Sequence, residues 1–158
     1  MTKFIPVNEP LLEGNERRYL NECIDSGWIS SEGPFVERFE TAFANLVGHD
    51  FGVAVSNGTD ALELAVHVLG LGPGDEVILP TFTIISCASA IIRAGATPVL
   101  IDCDPFTMNM KIDDVRQKIT AQTRCIMIVH IYGHPVDVDP IQALCQEFGL
   151  NLIEDTAE

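Results

Sequence analysis

Positive charge is scarce in this sequence. Nine Lys and Arg stand against 23 Asp and Glu, a formal net charge of -14. Phosphate backbones would be repelled, which argues against nucleic acid as a partner. A small anion is not excluded by the same balance, because a local pocket of donors can coexist with an acidic surface. Long apolar runs are also missing: each is interrupted by Pro, Asp or Arg within about ten residues, too short to cross a bilayer. The opening stretch MTKFIPVNEP has no apolar signal region, so the expected setting is cytoplasmic, away from membranes. Cys23, Cys87, Cys103, Cys125 and Cys145 form no C-x-x-C pair, which argues against a zinc knuckle. Four of the five sit in apolar runs and read as reduced core thiols. Internal repeats and low-complexity linkers are absent as well.

What is present is an alternation of helical and strand patterns in a chain of globular composition. Residues 14–26 predict a first helix and 34–47 a second, with Val36, Phe39, Phe43 and Leu46 on one face. The short apolar run Phe51 to Val55, bounded by Asp50 and Ser56-Asn57-Gly58, predicts a strand. Ala61, Leu64, Ala65, Val68 and Leu69 fall at helical spacing before Gly70 and Gly72. A turn at Gly72-Pro73-Gly74-Asp75 leads to a strand at Glu76 to Leu79, closed by Pro80. Then come a helix from about Thr83 to Ala94, a strand at Pro98 to Ile101 and a helix over 111–119. Cys125 to His130 is continuously apolar, as in a strand buried on both faces. Asp139 is expected to cap a helix with Pro140 in its first turn, and Leu150 to Ile153 is the last predicted strand. This order predicts an α/β fold with a largely parallel sheet.

In such sheets ligands bind beyond the C-terminal ends of the strands. Ser56-Asn57-Gly58-Thr59-Asp60 joins a strand to a helix. There Gly58 would let the backbone turn closely, and the N–H groups of Thr59 and Asp60 would face outward as an anion site. Any tight turn can use Asn-Gly, however, and Asp60 can simply favour the helix dipole. Glu154-Asp155 follows the last predicted strand. Two acids there read either as a cap or salt bridge, or as a carboxylate facing a cationic ligand nitrogen or a metal. His130, at another strand end, reads more readily as a hydrogen-bonded structural residue than as a catalyst.

Six segments, taken together and in order, carry a resemblance: SGWISSEGPFVERFE (26–40), SNGTDALELA (56–65), GPGDEVILPTFT (72–83), AGATPVLIDCDPFTMNM (94–110), HIYGHPVDVDPI (130–141) and LIEDTAE (152–158). They resemble the sugar aminotransferases of the DegT/DnrJ/EryC1/StrS family. The resemblance implies a type I pyridoxal 5'-phosphate (PLP) transferase fold, a mostly parallel sheet with flanking helices. It makes residues 1–158 a truncated, N-terminal part of the cofactor-binding large domain. It assigns Gly58, Thr59 and Asp60 to the cofactor phosphate and Asp155, the catalytic carboxylate, to the pyridine nitrogen. Glu158 is placed near the phenolic oxygen, and Trp28, Ile29, Ser30 and Ser31 border a nucleotide sugar. No metal is implied. The wording of PTFTIIS, HIYGHPVD and IEDTAE looks most like members that aminate a GDP-linked 4-keto-6-deoxy sugar with glutamate as donor, in polysaccharide (O-antigen) sugar synthesis. A homodimer is implied for the complete enzyme.

Two departures accompany the resemblance. Where many members stack an aromatic on the cofactor ring, this sequence has Ile84; either Ile84 covers the ring or Phe82 substitutes. The Schiff-base lysine of the family lies further along than Glu158, and neither Lys3 at the terminus nor Lys111 and Lys118 in a polar helix fits that role. The expectation is therefore an enzyme fragment, inactive alone. A 3-dehydratase of the same family, with histidine at the lysine position, and a non-catalytic module that keeps the fold are the alternatives.

Overall fold

A computed structural model describes residues 4–6 and 9–158; Lys3 lies outside the described residues. The chain divides into two compact units, one running to Ala54 and one over Val55–Glu158. Among the described residues no helix is long and apolar enough to cross a membrane.

The first unit holds α1 (Glu16–Ser26) and α2 (Pro34–Val47). Pro34 opens α2, where its missing N–H costs nothing, and Gly48 closes it at φ 71° in the left-handed conformation. Tyr19 and Phe35 pack with ring centroids 5.2 Å apart, and the Arg38 guanidinium lies 4.8 Å from the Phe35 ring. The apolar stripe expected on α2 exists, but Phe39, Phe43 and Leu46 are exposed and only Ala44 is buried.

Phe51 to Val55 is not a strand. Ala54 N–H donates instead to Glu40 Oε1 at 2.8 Å. A Cβ at Gly52 would meet the Glu40 carbonyl oxygen at 2.6 Å, so only glycine permits this approach to α2. An apolar run becomes a strand only when a neighbour pairs with it, and no described strand does.

The second unit is a parallel sheet in the order β2-β1-β3-β4, with β1 at Glu76–Pro80, β2 at Thr97–Ile101, β3 at Thr123–Val129 and β4 at Asn151–Asp155. Four helices flank it: α3 (Gly58–Val68), α4 (Ile85–Arg93), α5 (Ile112–Lys118) and α6 (Val138–Phe148). Strand alternation divides the core. Val77 and Leu79 of β1, with Cys125, Met127 and Val129 of β3, face Leu62 and Val66 of α3 and Cys87 and Ile91 of α4. Ile78, Ile126 and Ile128 point the other way, to Val115 of α5 and Ile141 and Leu144 of α6. Residues Cys125 to Val129 are all buried, as a strand covered on both faces requires.

From β1 the chain moves outward to β2 by way of α4, on one face. It then returns across the other face through α5 to β3, on the opposite side of β1. The winding thus reverses between β1 and β3, and a crevice opens there at the strand C-termini.

Two expectations shift. The residue flanking α6 is Asp137, which makes no side-chain cap bond. Asp139 sits inside the first turn, where a carboxylate still favours the helix dipole and Pro140 follows among residues whose N–H groups have no intrahelical acceptor. Glu154 and Asp155 are the last residues of β4 rather than residues after it, because pairing with β3 continues to Val129↔Asp155.

Candidate functional site

The crevice at the reversal holds a cavity of about 440 Å³, lined by residues of the second unit. That size suits a small organic ligand. Its walls come from the start of α3 (Gly58, Thr59, Leu62), the segment after β1 (Phe82, Thr83, Ile84, Ser86), the end of β3 (Val129 to Tyr132) and the end of β4 (Asp155, Ala157, Glu158). Five of the six cofactor residues implied by the sequence resemblance therefore come together.

Asn57 builds the α3 wall. Its Oδ1 accepts the Asp60 N–H at 2.9 Å, a helix cap. Asp60 is accordingly different from expectation: its N–H is taken by the cap, and its carboxylate accepts from Asn57 Nδ2 at 3.0 Å and from the Ser56 hydroxyl. Asp60 is not among the lining residues. The N–H groups of Gly58 and Thr59 find no acceptor among the described residues and remain at the positive end of α3. Gly58 is not in a left-handed conformation, so the turn does not require glycine. A Cβ there would stand in open space, and its absence leaves the N–H uncovered. Thr59 Oγ1 lies 2.9 Å from Ser86 Oγ, fixing the first turn of α3 to α4.

Asp155 is 8% exposed. Its Oδ1 accepts the Ala157 N–H at 3.1 Å, and its Oδ2 lies 3.2 Å from Cys87 Sγ. The carboxylate is thus gripped at both oxygens while it borders the cavity. Its neighbour Glu154 points to the other face of β4 and sits 3.4 Å from His130 Nε2. His130 Nδ1 accepts the Val136 N–H at 3.0 Å. Both ring nitrogens are engaged, which fits the structural reading of this histidine.

Ile84 flanks the start of α4, 59% exposed, and Phe82 stands two residues earlier, its ring 6.1 Å from that of Tyr132. Both line the cavity, so an apolar cover is available from either. Tyr132 was not singled out by the sequence. It holds φ 48°, ψ 34° inside a 3-10 turn, a left-handed conformation for a bulky residue, and its N–H donates to Glu158 Oε2 at 2.6 Å. The Tyr-Gly pair directly after a buried strand was the available signal. No lysine lines the cavity among the described residues; Lys111 flanks α5 and Lys118 ends it. Trp28, Ile29, Ser30 and Ser31 lie in the loop between α1 and α2 of the first unit, and all four are exposed.

Comparison with known proteins fixes the family. The family model for the DegT/DnrJ/EryC1/StrS aminotransferases matches residues 10–158. The chain belongs to this family. GDP-perosamine synthase of Vibrio cholerae is 49% identical over 154 residues, covering 98% of this chain and 42% of the relative. This DegT-family chain therefore spans less than half the length of that relative. Among solved structures, 3-amino-5-hydroxybenzoic acid synthase superposes with a TM-score of 0.88 at 40% identity, over 94% of this chain and 39% of the other. NtdA of Bacillus subtilis, with bound cofactor PMP, superposes with a TM-score of 0.82 at 32% identity, over 88% of this chain and 32% of the other. The fold is that of the PLP-dependent aminotransferases, and the parallel sheet with its flanking helices is the part of it held here.

Proposed function

We propose that this chain is the N-terminal part of a PLP-dependent sugar aminotransferase, and that the cavity at the sheet reversal is its cofactor site. One juxtaposition carries the reading: N–H groups without an acceptor among the described residues, at a helix N-terminus, and a buried, doubly held carboxylate border the same cavity. The first suits a phosphate and the second a protonated ring nitrogen. When bound, the cofactor supplies an electron sink for the electrons left behind when a proton leaves the donor's α-carbon. The residues here would do the holding. Gly58 and Thr59 would donate N–H groups to the phosphate, with Asn57 and Asp60 keeping that turn in shape. Asp155 would keep a proton on the ring nitrogen. Ile84 and Phe82 would shield the ring from water, and Glu158 would sit by the phenolic oxygen, steadied by the Tyr132 N–H.

The substrate reading follows the perosamine synthase relatives: a GDP-linked 4-keto-6-deoxy sugar, aminated with glutamate as donor. The exposed loop Trp28 to Ser31 is assigned to the nucleotide sugar. The complete enzyme is assigned as a homodimer. The test is incubation of the complete enzyme with glutamate and the keto sugar. Release of 2-oxoglutarate with formation of the amino sugar is expected. Loss of the C3 hydroxyl without amination would replace this reading by a dehydratase, and no conversion at all would leave only the fold.

A further inference from the structure

We infer that Cys87 is a positioning residue, whose thiol fixes the Asp155 carboxylate at the cavity edge. This inference rests on the cofactor reading above for its consequence, though not for its geometry. Cys87 is the third residue of α4, fully buried, and it does not line the cavity itself. Its sulfur lies 3.2 Å from Asp155 Oδ2 and 3.1 Å from Thr83 Oγ1. Thr83 stands two residues before the first residue of α4 and Cys87 in its first turn, so the entry to the helix brings the hydroxyl against the thiol.

The direction of the hydrogen bonds follows from the protonation state. Burial pushes the Cys87 thiol up to about 11; the Thr83 hydrogen bond opposes this, and the hydrogen bond and charge of Asp155 add to it. At neutral pH the sulfur therefore carries its single proton. A carboxylate cannot donate, so the S–H proton goes to Asp155 Oδ2 and the Thr83 hydroxyl donates to the sulfur. Asp155 then has one donor on each oxygen, Ala157 N–H on Oδ1 and Cys87 S–H on Oδ2. Two donors on opposite oxygens fix the rotation of the carboxyl plane, which a single contact would leave free. A buried thiol needs no charged partner; Cys125, also fully buried, meets backbone groups of Ile126 and Ile153 instead.

The test uses the complete enzyme, without and with cofactor. In the cofactor-free enzyme, the Raman S–H stretching band that vanishes in Cys87→Ala belongs to Cys87. It is expected at the low frequency of a strongly hydrogen-bonded thiol, and it should move up in Asp155→Ala. A band that does not move on losing Asp155 would overturn the inference. With cofactor, Cys87→Ala should lower kcat by about tenfold while KM for the amino donor changes less than about threefold, because orientation rather than binding is lost. Cys87→Ser, which keeps a donor, should recover most of the rate. Cys125→Ala, which empties a buried site of the same size elsewhere, should change neither constant. Equal kcat in wild type and Cys87→Ala would also refute positioning, as would failure of serine to restore what alanine loses. A complete enzyme that takes up no PLP would sink the functional reading separately, and the Raman arm would still decide the thiol contact.

Discussion

Replacing Asp155 by asparagine removes one charge and keeps the shape, which separates a structural role from an electrostatic one. In the native site Oδ1 receives the Ala157 N–H and Oδ2 the Cys87 thiol. Asparagine has one acceptor oxygen and an NH2 group. With its oxygen toward Ala157, the NH2 faces the sulfur, itself a weak acceptor, and the thiol proton loses its carboxylate. One hydrogen bond is weakened in a buried place, a stability cost of about 1 kcal/mol. That is too small to unfold a domain, and it accounts for less than a tenfold effect on anything coupled to folding. Losing a fixed negative partner of the reacting system costs on the order of 10²–10³ in rate. The two magnitudes are far enough apart to be told from each other. The assay is single-turnover amino transfer from glutamate to the complete enzyme, followed by cofactor absorbance, alongside a urea melt. The expected result is a rate loss of about 10²-fold or more with a melt midpoint close to wild type. Asp155→Asn turning over within about threefold of wild type would make Asp155 a structural residue only, and the site assignment would fail.

Two further predictions address the site wall and the core. Asn57→Ala should destabilise α3 by about 1 kcal/mol, since the cap to Asp60 N–H is lost; it should also weaken PLP uptake by the complete enzyme, and unchanged cofactor affinity by fluorescence titration would mean that the α3 N-terminus does not hold the phosphate. Alkaline stability should fall because two buried thiols resist ionisation in the folded state: burial pushes Cys125 up to about 12, with the Cys145 thiol adding to it, and Cys87 to about 11, from an ordinary value of 9.0. The unfolded chain loses those protons first, so the stability is fully present below pH 9 and is lost as pH rises through 11 to 12. At about pH 10.5 Cys125 alone should contribute a loss of about 2 kcal/mol relative to about pH 8, and Cys125→Ala should flatten the fall in urea midpoint over that range. Parallel curves for wild type and variant would refute this.

The second unit was largely legible in the sequence because its signals are local. β1 and β3 are short apolar runs, α3 and α6 carry apolar residues at helical spacing, and glycines stand at 70 and 149 in left-handed conformations just past those two helices. The strand-end rule led to Gly58, Thr59 and Asp155, and the family resemblance added Ile84 and Glu158; these five do share one cavity. What stayed hidden depends on partners far off in sequence. Phe51 to Val55 has strand composition, but composition cannot supply a neighbour, and the close approach of Gly52 to Glu40 decides its course. The N–H of Asp60 does not face outward because asparagine three residues before it is a strong cap and accepts it. The left-handed Tyr132 left only the Tyr-Gly pair as a signal, and the Cys87–Asp155 contact, 68 residues apart, has no local signature at all.

On the proposed function, the cavity at the sheet reversal binds PLP with its ring nitrogen against Asp155. The most direct measurement is the ¹⁵N chemical shift of ring-labelled PLP bound to the complete enzyme, in wild type and Asp155→Ala. The expected result is the shift of a protonated pyridine nitrogen in wild type at neutral pH, moving to the unprotonated value in Asp155→Ala. An unprotonated nitrogen in wild type, or a shift that ignores the loss of Asp155, would contradict it.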